Sequence, residues 1–81
     1  MTKVEVCTKM SDFIEGRDRS ARLAGEIEVA LDQMCGDVEP YASLVLALAS
    51  YRPGGGEFLY DEASILPMMK AALRELIASK E

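Results

Sequence analysis

The chain has no histidine, only two cysteines, and nine lysines and arginines against fourteen aspartates and glutamates. Without histidine the commonest general base is missing, and no base is suggested near Cys7 or Cys35, so we do not expect an enzyme. Two cysteines without CxxC spacing or histidine partners cannot build an ordinary zinc site. The sequence therefore predicts no catalytic residue, no metal and no cofactor.

The net charge of −5 also limits the kinds of partner that the chain is expected to bind. Phosphate contacts need a basic face, so we do not expect nucleic-acid binding. Lys3, Glu5 and Lys9 rule out a signal-peptide apolar region, and the longest uncharged run, Pro40–Tyr51, is too short to span a bilayer. We expect a protein without membrane contact, located in the cytoplasm with reduced thiols.

A length of 81 residues with 49% apolar residues predicts one folded domain, residues 1–81, with a thin core. The fold class that the patterns favour is all-α, a small bundle of three to four helices with a short third helical turn. In residues 1–10, Val4, Val6 and Thr8 alternate with polar neighbours, which indicates an extended arm.

The first helix is predicted to begin after Ser11 or Asp12, because Asp12 and Glu15 have capping-box spacing. Gly16 lowers helix propensity, so fraying is expected there, and Gly36 is expected to end the helix. The predicted core face of this helix consists of residues at three- and four-residue spacing: Ser20, Leu23, Ala24, Ile27, Ala30, Leu31 and Met34.

The second helix is predicted over residues 38–51, with Asp37 as its cap and Pro40 in its first turn. It is apolar on all sides, which predicts that protein surrounds it completely. One possibility is that it forms the centre of the bundle. The other is a homodimer interface formed by Leu44, Val45, Leu46 and Leu48, which makes the chain a homodimeric adaptor or regulatory subunit.

Arg52–Gly56 contains a proline and three glycines, which predicts a loop, and Glu57–Asp61 is predicted to form one helical turn. The last helix is predicted from near Ser64, with Pro67 in its first turn. Its predicted core face consists of Ile65, Met69, Ala72, Leu73, Leu76 and Ile77. The helically spaced methionines favour core positions over a soft binding surface; they are Met10, Met34, Met68 and Met69.

The acidic residues form two groups in the sequence. Asp37 and Glu39 lie at the predicted corner between the first two helices. Glu57, Asp61 and Glu62 flank Tyr60. These groups have two interpretations: a solvated face, or a bipartite acidic patch around Tyr60 that contacts a basic protein.

Two stretches resemble the DNase-colicin and pyocin immunity proteins, a bacteriocin-inhibitor family. Arg52–Tyr60 is similar to the family's His-Pro-x-Gly-Ser-Asp-Leu-Ile/Leu-Tyr-Tyr-Pro segment, since Pro53, Gly55, Glu57, Leu59 and Tyr60 match in kind. Met10–Glu15 looks like the family's Ile-Ser-Asp-Tyr-x-Glu stretch. The family's second tyrosine is Asp61 here, its following proline is missing, and its acidic second helix contrasts with the uncharged Tyr41–Tyr51.

The resemblance implies an acidic four-helix domain with a short third helix that neutralises a basic toxin or nuclease. Only Glu57 and Tyr60 match the family's binding positions. The sequence therefore predicts a non-catalytic protein-binding module, with partner contacts at Asp37, Glu39, Glu57, Tyr60, Asp61 and Glu62.

Overall fold

The computed structural model describes residues 2–54 and 60–78. Over these residues the chain forms four helices: α1 (Lys3–Glu15), α2 (Ala21–Cys35), α3 (Tyr41–Ala49) and α4 (Glu62–Ala78). Each helix packs against the next along the chain, and α4 packs back against α1. The short links between α1, α2 and α3 favour antiparallel neighbours. The all-α bundle predicted from the sequence is confirmed.

The extended arm predicted for residues 1–10 is wrong, because Lys3–Met10 belongs to α1. Thr2 and Glu5 form a capping box, in which the Thr2 hydroxyl accepts the Glu5 N–H at 3.2 Å. Val6, Met10 and Phe13 follow at helical spacing and are fully buried. Burial of this face outweighs the β-preference of the valines.

The single helix predicted from Asp12 to Gly36 is in fact two helices with a turn between them. Gly16 ends α1 with a left-handed φ of 84°, and Ser20 begins α2 by accepting the Leu23 N–H at 3.1 Å. Asp12 does not cap a helix as predicted; its carboxylate accepts a hydrogen bond from Arg17 Nε at 2.7 Å.

Most of the predicted α2 core face is confirmed, since Leu23, Ala24, Ile27, Ala30 and Leu31 are all buried. The exceptions are the two ends: Ser20 is the helix cap, and Met34 is exposed. Gly36 follows the last residue of α2, as predicted, and its φ of −64° is right-handed.

The apolar helix α3 is shorter than the predicted 38–51, since it begins at Tyr41 after Pro40. The predicted cap, Asp37, lies too early in the chain. Glu39 supplies the capping contact instead, with its Oε1 accepting the Ser43 N–H at 3.1 Å.

Helix α4 begins at Glu62, two residues before the predicted start, so Pro67 lies inside the helix. Asp61 accounts for the earlier start because its Oδ1 accepts the Ser64 N–H at 2.9 Å. Ile65, Met69, Ala72 and Leu76 are buried as predicted, whereas Ile77 is exposed.

The predicted helical turn over Glu57–Asp61 lies mostly outside the described residues. Where the description resumes, Tyr60 forms a parallel β-bridge with Tyr51. The Tyr60 N–H donates to Ser50 O and the Arg52 N–H donates to Tyr60 O, both at 2.9 Å. Tyr60 is therefore extended, and it is held against the chain that leaves α3.

Aliphatic side chains from all four helices form the core, and Phe13 and Tyr51 close the end near Gly16. Met10 and Met69 are fully buried, and Met68 packs partly against the core, as predicted for the methionines. No charged side chain among the described residues is buried.

Candidate protein-interaction surface

The two predicted acidic groups lie at opposite ends of α3. Asp37 and Glu39 precede its first residue, Tyr41, whereas Tyr60 is paired with Tyr51, two residues beyond its end. A nine-residue helix is about 14 Å long. The structure therefore does not bring the acids of the α2–α3 corner together with Tyr60 into one patch.

Three of the predicted contact acids make hydrogen bonds within the chain. Asp61 caps α4, and its hydrogen bonds to the Ser64 backbone and side chain lower the pKa of its carboxyl group. Glu62 Oε1 accepts the Gly54 N–H at 3.1 Å, and Glu39 accepts from Ser43. These contacts favour a structural role for the three acids. Among the predicted contact residues that the structure describes near the end of α3, Tyr60 remains a candidate for partner contact, since it is 41% exposed. Glu57 lies outside the described residues.

The proposed dimer residues of α3 do not share one environment. Leu44 and Leu48 lie in the core and Val45 is half-buried, so a purely intermolecular role for the first two is wrong. Leu46 is 72% exposed and projects from the side of α3 opposite to the core. With Ala42, Val45 and Ala49, it forms what we call the α3 outer face, an apolar surface without charge.

A long gap in positive charge is a further feature of the sequence, and the predicted contact residues do not account for it. No lysine or arginine occurs between Leu23 and Tyr51, a stretch that spans nearly all of α2, the corner and α3. The same stretch contains five acids: Glu26, Glu28, Asp32, Asp37 and Glu39. We call α2, the corner and α3 the acidic hairpin. The gap is visible in the sequence, but its meaning depends on α2 and α3 being packed neighbours.

Among residues 2–54 and 60–78, a basic partner is found for one of these five acids, Glu26. Glu26 accepts a hydrogen bond from Lys9 Nζ at 2.9 Å and lies 3.5 Å from Arg22 Nε, and the contact with Lys9 is the main cause of its lowered pKa. Asp32, Asp37 and Glu39 are exposed. The outer end of the hairpin therefore keeps a negative potential that its own residues do not offset.

Apolar side chains are exposed on the same hairpin. Val29 and Met34 project from α2, and Val38 in the corner is 55% exposed. Val29 also lines a shallow groove of about 490 Å³ along α2, between Arg22 and Gln33. Exposed apolar groups among exposed acids are the combination expected of a surface that contacts a basic and partly apolar partner.

A second groove, of about 630 Å³, lies beside α1, where Val4 and Cys7 approach Ile77 of α4. Its charged lining residues have both signs: Lys3, Arg17 and Glu15. This side therefore lacks the one-signed potential of the acidic hairpin.

Other kinds of site receive no support from the described part of the chain. No group of three or more potential metal-ligating side chains lies together there, and none of its helices is long and apolar enough to cross a membrane. Cys7 and Cys35 are free thiols, and burial raises the pKa of the Cys35 thiol, which disfavours the reactive thiolate.

No protein-family model, curated protein or solved structure matches the chain significantly.

Proposed function

We propose that the protein is a non-catalytic binding module that receives a basic protein partner on the acidic hairpin. The observation that carries the proposal is the absence of lysine and arginine from Leu23 to Tyr51, combined with exposed Val29 and Met34 on α2 and exposed Val38 in the corner. The acids steer a basic partner toward the surface, and the apolar side chains then supply contact area that excludes water.

The specific form suggested by the sequence resemblance is a toxin-neutralising inhibitor that occludes a basic nuclease or another basic toxin. A four-helix bundle of net charge −5 is compatible with such a role. The positions of the two similar stretches in the structure do not add to this form of the proposal. Met10–Glu15 forms the last part of α1, and most of Arg52–Tyr60 lies outside the described residues.

A homodimeric adaptor or regulatory subunit is the second candidate function. The α3 outer face favours it, because Leu46 is among the most exposed large apolar side chains and no charge lies between Tyr41 and Tyr51. The two functions share the acids of the corner but differ in their apolar contacts, which are Val29, Met34 and Val38 for the basic partner and the α3 outer face for the second copy.

The test is affinity capture from the native source with three immobilised baits, followed by mass spectrometry. The baits are the wild type, Asp32→Asn/Asp37→Asn and Glu15→Gln/Glu75→Gln. Both double variants change the net charge from −5 to −3 at exposed positions, but only the first alters the acidic hairpin. Bulk charge is therefore matched between the two variants.

The proposal predicts a basic protein that the wild type and the Glu15→Gln/Glu75→Gln bait retain and the Asp32→Asn/Asp37→Asn bait loses. Elution at moderate salt is expected, because screening weakens contacts between exposed charges. Equal retention by all three baits would contradict a role for the hairpin acids. A partner of acidic or neutral charge would contradict the proposed chemistry.

A further inference from the structure

The four residues of the α3 outer face follow one another as small, large, large and small in both directions along the helix: Ala42, Val45, Leu46 and Ala49. The midpoint of this pattern falls between Val45 and Leu46. Ala42 lies three residues before Val45, and Ala49 lies three residues after Leu46. A small residue on each side of a large apolar centre lets two helices approach closely with the large side chains interleaved at the middle.

The charges at the two ends of α3 are opposite in sign. Glu39 lies six residues before Val45, and Arg52 lies six residues after Leu46; both are exposed. If two copies of α3 run antiparallel, the acids of each corner face the Arg52 of the other copy. A parallel arrangement places acid against acid and aligns the two helix dipoles unfavourably.

We propose that the α3 outer face is a self-association surface on which a second copy of this chain docks with its α3 antiparallel. This inference deepens the homodimeric candidate function and rests on it, whereas the binding of a basic partner to the acidic hairpin is independent of it. The arrangement is isologous, so Leu46 meets the Val45–Leu46 centre of the other copy, and the Glu39–Arg52 contact occurs twice.

The size of the surface sets the expected affinity. A helix about 14 Å long and about 10 Å wide offers a contact below the roughly 1,200 Å² of total buried area at which stable interfaces begin. We therefore expect a reversible dimer with a dissociation constant on the order of 100 µM, weakened by added salt because its end contacts are exposed ion pairs.

Two matched pairs of variants test the proposal by sedimentation equilibrium of the full chain up to about millimolar concentration. Leu46→Glu is compared with Ile77→Glu, which puts the same charge at a similarly exposed apolar position on α4, with 65% of Ile77 and 72% of Leu46 exposed. Arg52→Glu is compared with Arg74→Glu, which makes the same charge reversal on α4. All four positions are exposed, and circular dichroism checks that each variant keeps its helices.

The proposal predicts that Leu46→Glu and Arg52→Glu each weaken the dimer at least tenfold, while Ile77→Glu and Arg74→Glu change its dissociation constant less than twofold. A wild type that stays monomeric at millimolar concentration overturns both this pairing and the homodimeric candidate function. A dimer that survives Leu46→Glu, or one that Ile77→Glu abolishes, overturns the α3 pairing alone. None of these results bears on the capture of a basic partner.

Discussion

The Tyr51 hydroxyl donates a 2.6 Å hydrogen bond to the backbone carbonyl of Arg19. This bond joins the chain leaving α3 to the turn between α1 and α2, which lies 32 residues earlier in the sequence. The Tyr51 ring also packs edge-on against Phe13, with ring centroids 5.3 Å apart. The Arg19 side chain completes the junction, because its guanidinium group donates to the last carbonyls of α1, Phe13 O and Ile14 O, both at 2.7 Å.

We expect Tyr51→Phe to lower the free energy of unfolding by about 1–2 kcal/mol, because the partly buried carbonyl of Arg19 loses its hydrogen-bond donor while the ring packing stays. Urea unfolding followed by circular dichroism measures this change. Tyr60→Phe is the matched control: its ring is 41% exposed, and we expect a change below about 0.5 kcal/mol. Equal effects of the two changes would contradict the role assigned to the Tyr51 hydroxyl.

Two glycine-to-alanine changes should alter stability in opposite directions. Gly16 has a φ of 84°, so Gly16→Ala is expected to cost about 1 kcal/mol. Gly25 lies inside α2, and no atom lies within 4 Å of the position that an added Cβ would take, so Gly25→Ala is expected to stabilise the protein by up to about 1 kcal/mol. Thermal unfolding of both variants checks the signs, and a stabilised Gly16→Ala protein would argue against the break between α1 and α2.

This break shows what the sequence could and could not predict. The apolar spacing identified most of the α2 and α4 core faces, because burial follows the helical period. It did not identify α1, whose Val4 and Val6 suit a strand as well as a helix; Thr2 and Glu5 form the capping box there. Asp12 and Glu15 show the same capping spacing, but they lie at the end of a helix, and only packing distinguishes the two cases.

The candidate surface was predictable only in part. Composition predicted acidity, and the uncharged α3 predicted an apolar contact. Which apolar side chains of α3 are exposed could not be predicted, because every residue of the helix except Ser43 is apolar and the spacing of apolar residues therefore does not indicate one buried face. Leu44 faces the core and Leu46 faces outward because of how α2 and α4 pack against α3. Likewise, the position of Asp61 in the sequence does not show whether it caps a helix or contacts a partner.

The capping role of Asp61 predicts a dependence of stability on acid pH. Its folded pKa is lowered by the hydrogen bonds to Ser64, so its stabilisation is present above the unfolded pKa near 3.8 and is lost as the pH falls through the lower folded value. Asp61→Asn should therefore flatten the fall in unfolding free energy between about pH 4 and pH 2. Asp37→Asn, a change at an exposed corner residue, is the control. Identical acid profiles for the wild type and Asp61→Asn would contradict the capping role.

Alkaline pH should destabilise the fold through the two buried tyrosines. Burial raises the pKa of both Tyr41 and Tyr51 above the ordinary value of 10.0. Their neutral forms therefore stabilise the fold below about pH 10, and this contribution is lost as the pH rises through the higher folded values. Unfolding free energies measured from pH 8 to pH 11 should fall steeply for the wild type and less steeply for Tyr51→Phe. A profile that Tyr51→Phe leaves unchanged would exclude that tyrosine as a contributor.

The central claim is that a basic partner docks on the acidic hairpin, and hydrogen–deuterium exchange with the captured partner tests it most directly. We predict slower exchange in the outer half of α2, the corner and the start of α3, over residues 28–46, with α1 and α4 unchanged. The same experiment with the Asp32→Asn/Asp37→Asn variant should lose this protection. Protection that appears instead along α1 and α4, around Val4 and Ile77, or only around Tyr60, would contradict the claim.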